Sequence, residues 1–565
     1  MVESVVASRV ALDDPVLNGP YDPPTRYFEI GPKGPTGDVV EGRRPSESFI
    51  PVAPVRKQGR KKAKDGPAAT AYAADQLSLA LFDEQVQRNT LINGIRDDVE
   101  MWRKSGYKGA TATSLKLLLH WADPDRDNRI LFAQREAAET AIFLAEVSGR
   151  RIPGVSAFKD WRPDLDDQNS EHNDGLPRVA LKMATGSGKT VVMAMLIAWQ
   201  TLNKIATPTN PRYAKRFLVV TPGITIRDRL RVLQPNDPEN YYDQRGLVPP
   251  DLRGLLGRAQ ILITNYHAFL LKDRKEIKGV ASMTKQILLA GKNEDPFKET
   301  PADMVSRVLR GWGVGTSQRQ GEIVVLNDEA HHCYMDKPLT VEAEAEGIEK
   351  GEREDQERNA DARVWFKGLQ AIAAKVGVKT VYDMSATPFY LAGSGYKDGF
   401  IFPWTVSDFS LMDAIESGIV KVPRIPVDDN ADTDIVTFRN LWSLIDKKLP
   451  KRSRAATTFD EVPLLPAELE AAMHSLYRSY ERAFAHWQQA LEPLDEPPPV
   501  FIVVCPNTAV SKLVYDWIAG AERNDEHGHI RMRDGQLPKF SNIDGDLVVP
   551  RPRTILVDSA QLESG

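Results

Sequence analysis

The chain reads as an α/β protein built on a parallel sheet with helices on its faces and a phosphate-binding loop at one strand end. Three observations predict this. Arg178–Leu202 runs from a short β-branched apolar segment through a glycine-containing loop into a long apolar stretch, the strand–loop–helix order such a loop requires. Downstream apolar segments (Arg216–Thr221, Gln260–Thr264, Glu322–Leu326 and Lys379–Asp383) alternate with helical patterns, as parallel strands joined by crossovers demand. Each of them ends in a polar motif, and the carboxyl edge of such a sheet is where ligands bind.

In the first of these stretches, Thr185, Gly186, Ser187 and Gly188 let the backbone curl so that its N–H groups converge on a phosphate at a helix start. Lys189 is placed to reach the β- and γ-phosphates, and the Thr190 hydroxyl to ligate Mg²⁺. The implied cofactors are therefore ATP and Mg²⁺. Met183 stands where the first glycine of such a loop usually lies.

Composition sets the outer bounds. With 565 residues the chain exceeds what one core fills, and its 42% hydrophobic and 27% charged content is that of a globular protein. No apolar stretch approaches the roughly 20 residues of a membrane span. The N-terminus has no basic segment followed by an apolar core, so no secretory leader is expected. The two cysteines, Cys333 and Cys505, form neither a disulfide framework nor a metal-binding pair, which suits the reducing cytoplasm. The net charge of −5 means that nucleic acid binding would rest on local basic surface.

Upstream of the loop, residues 1–70 are rich in Pro and Gly and read as an extended, partly disordered segment. The basic cluster Val55–Lys64 within them is either a solvated linker or a phosphate-contacting arm. Residues 71–126 carry helical periodicity and predict a small helical subdomain. Asp127–Val147 predicts another amphipathic helix, and Gln134 on it offers a donor and an acceptor that could read an adenine edge.

Downstream, Asn327–His332 follows a strand. Asp328 fits the acid that holds nucleotide-bound Mg²⁺, and Glu329 the group that activates water. A metal site on His331, His332 and Cys333 is the competing reading, and it lacks a second ligand cluster. Ser385 and Thr387 sit at the next strand end and could hydrogen-bond the acidic motif. Thr221 and Pro222, with Arg227 after them, and Thr264 occupy two more strand ends and suit sugar–phosphate contacts. Lys272–Lys298 and Val341–Arg363 read as charged insertions. The first lobe is expected over 127–428, a helical connector over 429–499, and a further lobe from 500. Buried strands are expected there at Val500–Cys505 and Arg553–Asp558.

The ordered set MATGSGKT, VVTPG, ITNYHAF, NDEAHH, SATPF and VVCPN resembles that of the superfamily 2 helicase-like ATPases. Within these, the chain from about Asp97 onward resembles the Res subunit of type III restriction enzymes. The resemblance implies two RecA-like lobes with ATP between them and double-stranded DNA across the top. By it, Gln134 meets the adenine, Lys189, Asp328 and Glu329 are catalytic, and Thr190 and Asp328 hold Mg²⁺. His331, Ser385 and Thr387 couple hydrolysis to motion, while Thr221, Pro222, Arg227 and Thr264 track the DNA backbone. It also implies a methyltransferase (modification) subunit as partner.

Against the family pattern, no late arginine-finger motif and no nuclease carboxylates are found, and about 65 residues follow Val500. The expectation is a motor portion truncated within its second lobe, which would not cleave DNA alone and would draw on another chain to complete lobe and nuclease. A non-catalytic ATP- and DNA-binding remnant or regulatory subunit and an RNA helicase are the alternative readings.

Overall fold

The computed structural model describes residues 14–31, 34–49, 86–154, 157–272, 299–312, 323–335, 337, 353–422, 441–450, 464–524, 530–545 and 547–557. They belong to two separately packed units, residues 1–422 and 423–565.

The first unit opens with a hairpin, β1 (Arg26–Gly31) against β2 (Gly34–Glu41), and a short pair, β3 (Glu47–Phe49) with β4 (Val86–Arg88). Its centre is a six-stranded sheet made of β5 (Arg178–Met183), β6 (Arg216–Thr221), β7 (Gln260–Asn265), β8 (Ile323–Asp328), β9 (Val378–Ser385) and β10 (Thr405–Phe409). The order is β10-β5-β9-β8-β6-β7 and every neighbouring pair is parallel. This is the expected helix-flanked α/β architecture, consistent with a RecA-like fold.

Alternation along the strands explains the layers, because successive side chains point to opposite faces. Phe217, Val219, Val324 and Leu326 join one buried cluster with helices Thr90–Lys104, Ala112–Ala122, Phe132–Glu146 and Lys189–Ala206. Leu218, Val220, Ile323 and Val325 join the opposite cluster with helices Pro301–Val308 and Arg353–Val376. With both faces covered, the strands read as apolar runs rather than as alternating ones.

Several local expectations change. Within the predicted 71–126 region, residues 71–85 lie outside the described residues, residues 86–88 are a strand, and two helices follow. The Asp127–Val147 helix begins only at Phe132. The residues from Asp127 up to it bend before Leu131 takes an extended backbone, and the Phe132 N–H donates to the Pro20 carbonyl at 2.9 Å. The Val55–Lys64 cluster and Asp273–Lys298 of the first insertion fall outside the described residues, as do residues 341–352 of the second.

The N-terminal segment, read as extended and partly disordered, is anchored over residues 14–49. Arg43 pairs with Glu136, Arg44 with Glu416, and the Ser46 hydroxyl donates to Asp408 at 2.6 Å. Burial would raise the Glu136 carboxyl, but the Arg43, Arg96 and Arg103 guanidiniums together outweigh it and bring it down to about 2.

In the second unit, helices Ala467–Ala490 and Thr508–Ala519 pack through Leu469, Met473, Tyr477, Val514 and Trp517. The buried strand expected at Val500–Cys505 is not one. The segment pairs with no strand among the described residues, and Val500, Ile502 and Val504 are 78%, 78% and 90% exposed. Only Phe501 and Cys505 reach the helical core. The Arg553–Asp558 strand fails likewise over its described part, with Ile555 and Val557 at 73% and 67% exposed. Apolar alternation specifies a strand-compatible chain, but a ladder needs a neighbour, and among the described residues none lies beside either segment.

Glu136→Gln leaves Arg43 buried without its counter-charge, which costs about 3–5 kcal/mol. The lowered carboxyl stabilises the fold above its unfolded value and loses that effect as pH falls toward 2. Thermal denaturation should therefore show a large deficit for Glu136→Gln at pH 7 that shrinks below about pH 4.

Candidate functional site

The site forms where β5, β8 and β9 end side by side. After β5, Gly186 and Gly188 take φ values of +85° and +88°, the left-handed region that a side chain resists. A Cβ on Gly188 would also run into the Gln134 side-chain nitrogen. The Ser187 hydroxyl donates back to the Ala184 carbonyl at 2.6 Å and closes the turn, leaving Thr185 and Gly186 exposed. Lys189 and Thr190 then begin the long helix, whose first N–H groups have no partner within it.

Gln134 sits beneath this loop rather than beside it. Its Nε2 donates to the Ser187 carbonyl at 3.0 Å, while its Oε1 accepts from the Leu131 N–H at 3.1 Å. The side chain is 5% exposed and holds the loop to the start of its own helix.

Opposite the loop, Lys189 Nζ lies 2.6 Å from Glu329 Oε1. Glu329 has φ 49° and ψ 51°, a left-handed backbone that costs an L-residue roughly 1–2 kcal/mol. That turn carries the chain from β8 into the short helical turn Ala330–His332. Asp328 is 8% exposed, and burial, with the neighbouring Glu329 charge, pushes its carboxyl up to about 6.

Burial and the neighbouring His332 push His331 down to about 4, so its ring is neutral at pH 7. Its Nδ1 lies 2.9 Å from the Ser385 hydroxyl and 3.6 Å from Glu329 Oε2. The Ser385 Oγ also accepts the Thr387 N–H at 3.0 Å, and Thr387 itself is exposed. One continuous set of contacts thus runs from the phosphate loop through the acidic turn to the Ser–Ala–Thr turn.

The residues expected to track a nucleic acid backbone lie along the β6 and β7 ends, where Thr221 registers with Asn265 and Val220 with Thr264. Thr221 is fully buried and its hydroxyl donates to the Gly223 carbonyl at 2.8 Å, so it shapes the turn. Thr264 is half-buried and donates to the Asn265 carbonyl at 3.3 Å. Pro222 is half-buried, and Arg227 is exposed beside Asp228 at 3.2 Å.

Among the described residues, no three His, Cys, Asp or Glu side chains converge on a metal position. Were Mg²⁺ to bind with a nucleotide, the Asp328 carboxylate and the Thr190 hydroxyl are the side chains that would hold it, the nucleotide supplying the rest. The raised Asp328 carboxyl fits that use, since Lys189 pairs with Glu329 and, among the described residues, Asp328 has no cation at ion-pair distance.

Sequence reading missed the polar residues under the motifs, namely Arg178, Asn327 and Asp383. Charged side chains inside strands that are otherwise apolar are the signal that could have found them, since such groups are buried only when paired.

Residues 133–390 match the family model for type III restriction enzyme, res subunit. The match starts in the helix bearing Gln134 and ends just after the Ser–Ala–Thr–Pro motif, so it spans the whole site described above. Over this stretch the chain carries a helicase superfamily 2-like domain similar to that family. No curated protein matches the chain. Among the described residues no helix is long and apolar enough to cross a membrane.

Because the folded protein holds the Asp328 proton more tightly than the unfolded chain, its charged form opposes folding above about pH 6, on the order of 2 kcal/mol. Asp328→Asn should therefore raise the melting temperature in EDTA at pH 7.5 and leave it unchanged below about pH 3, where both states are protonated.

Proposed function

We propose that this chain is the ATP-hydrolysing, DNA-dependent motor portion of a type III Res-like restriction system. The observation that carries the reading is the Lys189–Glu329 contact. It brings a phosphate-binding lysine and a water-activating acid from motifs 140 residues apart within 2.6 Å.

In this reading the γ-phosphate of ATP takes over Lys189, and Glu329 is released to accept a proton from the attacking water. The backbone N–H groups of Gly186–Lys189 orient the phosphates, and Thr190 with Asp328 would hold Mg²⁺, which would supply charge neutralisation at the phosphate oxygens. The His331–Ser385 contact then carries the occupancy of the site to the next strand end. Pro222, Arg227 and Thr264 provide the edge along which duplex DNA would lie. A methyltransferase subunit, and a chain supplying lobe and nuclease functions, are the proposed partners, in the cytoplasm.

A second reading, an ATP- and DNA-binding regulatory subunit without turnover, is favoured by the second unit. Its described residues contain no sheet of more than two strands, and Val500–Val504 stays unpaired among them.

Steady-state hydrolysis with and without duplex DNA separates the two. The motor reading expects duplex-stimulated turnover that Lys189→Ala abolishes, and RNA stimulation alone would point to an RNA helicase. Glu329→Gln should keep ATP binding and lose about 10²–10⁴-fold in kcat, the range for a general base. Binding without turnover in the wild type would select the regulatory subunit.

A further inference from the structure

Beneath the two catalytic turns lies a polar group that takes no part in nucleotide contact. Arg178 and Asp383 form an ion pair at 2.7 Å with both side chains fully buried. The Asp383 Oδ2 accepts from Arg178 Nε at 2.7 Å and from the Trp404 indole at 2.8 Å, while Oδ1 accepts from Asn327 Nδ2 at 2.8 Å. Asn327 Oδ1 in turn accepts from the Trp365 indole at 3.3 Å. Arg178 extends the group with one N–H to Asn173 at 3.1 Å and another to the Cys333 carbonyl at 2.7 Å. Its guanidinium also lies 4.7 Å from the Trp404 ring.

The placement of these residues goes beyond core filling. Asn327 and Asp383 are register partners across β8 and β9. Asn327 immediately precedes Asp328, Asp383 lies two residues before Ser385, and Cys333 two residues after His331. The group therefore grips both sides of the His331–Ser385 contact from below. Its two carboxylate oxygens accept three donors with no water between them, so a shift of one strand end breaks a buried hydrogen bond on the other.

We propose that Asp383 is a positioning residue, which with Arg178 and Asn327 locks the acidic turn and the Ser–Ala–Thr turn into one rigid unit. The proposal rests on the ATP-hydrolysis reading for its consequence, but its physical content, joint ordering of the two turns, stands apart from turnover.

The test uses Asp383→Asn and the swap Asn327→Asp/Asp383→Asn. In the single variant one acceptor becomes a donor. Asn327 must then flip, which sets its amide N–H against the Trp365 indole N–H. In the swap, the amide oxygen introduced at position 383 accepts from Arg178 and Trp404. The amide nitrogen there donates to the carboxylate introduced at position 327, which also accepts from Trp365, so each donor regains a partner. Hydrogen exchange is read on peptides covering 327–335 and 383–390, together with ATP turnover and KM.

The expected result is faster exchange in both peptides for Asp383→Asn, with kcat reduced about 10–100-fold at unchanged KM, the range for residues that orient a catalytic shell. The swap should restore both. Unchanged exchange over 327–335 in the single variant overturns the proposal, as does a swap that folds but restores neither property. A wild type that neither binds nor hydrolyses ATP overturns the functional reading, while the paired exchange response still decides the positioning role.

Discussion

The contact between Lys189 and Glu329 is the constraint on which the site depends. A lysine amine and a carboxylate 2.6 Å apart satisfy each other's charge. The pair keeps a cation and an acid in a half-buried cleft at little electrostatic expense. It also commits the lysine to Glu329 rather than to the adjacent Asp328, whose carboxyl is raised. The left-handed backbone at Glu329 aims its side chain back toward the loop. In the proposed reading, an anion of higher charge entering the loop competes for the lysine and frees Glu329.

Around that pair the fold supplies rigidity in layers. The loop is held from below by Gln134, whose carboxamide ties Ser187 to the start of the Phe132–Glu146 helix. That helix is in turn fixed by Arg43 on Glu136 and by the Pro20 carbonyl at Phe132, so the N-terminal segment belongs to the first unit. A further buried carboxylate, Glu146, accepts from Ser114 at 2.6 Å, from Tyr213 and Trp199 at 2.8 Å, and from the Thr111 backbone at 2.9 Å. Such full satisfaction is what allows an acid in a core, and it pins three helices to one another.

How much was legible in the sequence follows from the range of each interaction. The phosphate loop and the strands β6 to β9 could be read because their signals are local: glycines at fixed offsets and short β-branched runs. A hydrogen bond from Ser385 to the acidic motif was readable from its place at the next strand end, but His331 as the partner was not, since nothing in the spacing of two motifs 54 positions apart gives a distance. The edge strand β10 was missed because three of the five residues of Thr405–Phe409 are polar, and its Asp408 is buried through distant partners, Lys182 at 2.8 Å and the Ser46 hydroxyl at 2.6 Å. Val500–Cys505 was over-read for the converse reason. Its apolar content is that of a strand, but pairing depends on a neighbour that its own residues do not encode. The anchoring of residues 14–49 was invisible as well, since it rests on ion pairs to residues 93 and 372 positions away.

The central claim is that Glu329 occupies Lys189 until a phosphate displaces it. Equilibrium binding of ATP to the wild type and to Glu329→Gln, followed with a fluorescent ATP analogue, tests this most directly. Removing the competing carboxylate should tighten binding by about tenfold, corresponding to ~1.4 kcal/mol, within the range of a charge-assisted hydrogen bond. Equal or weaker binding by Glu329→Gln would contradict the account, because the carboxylate would then not be holding the lysine against the nucleotide.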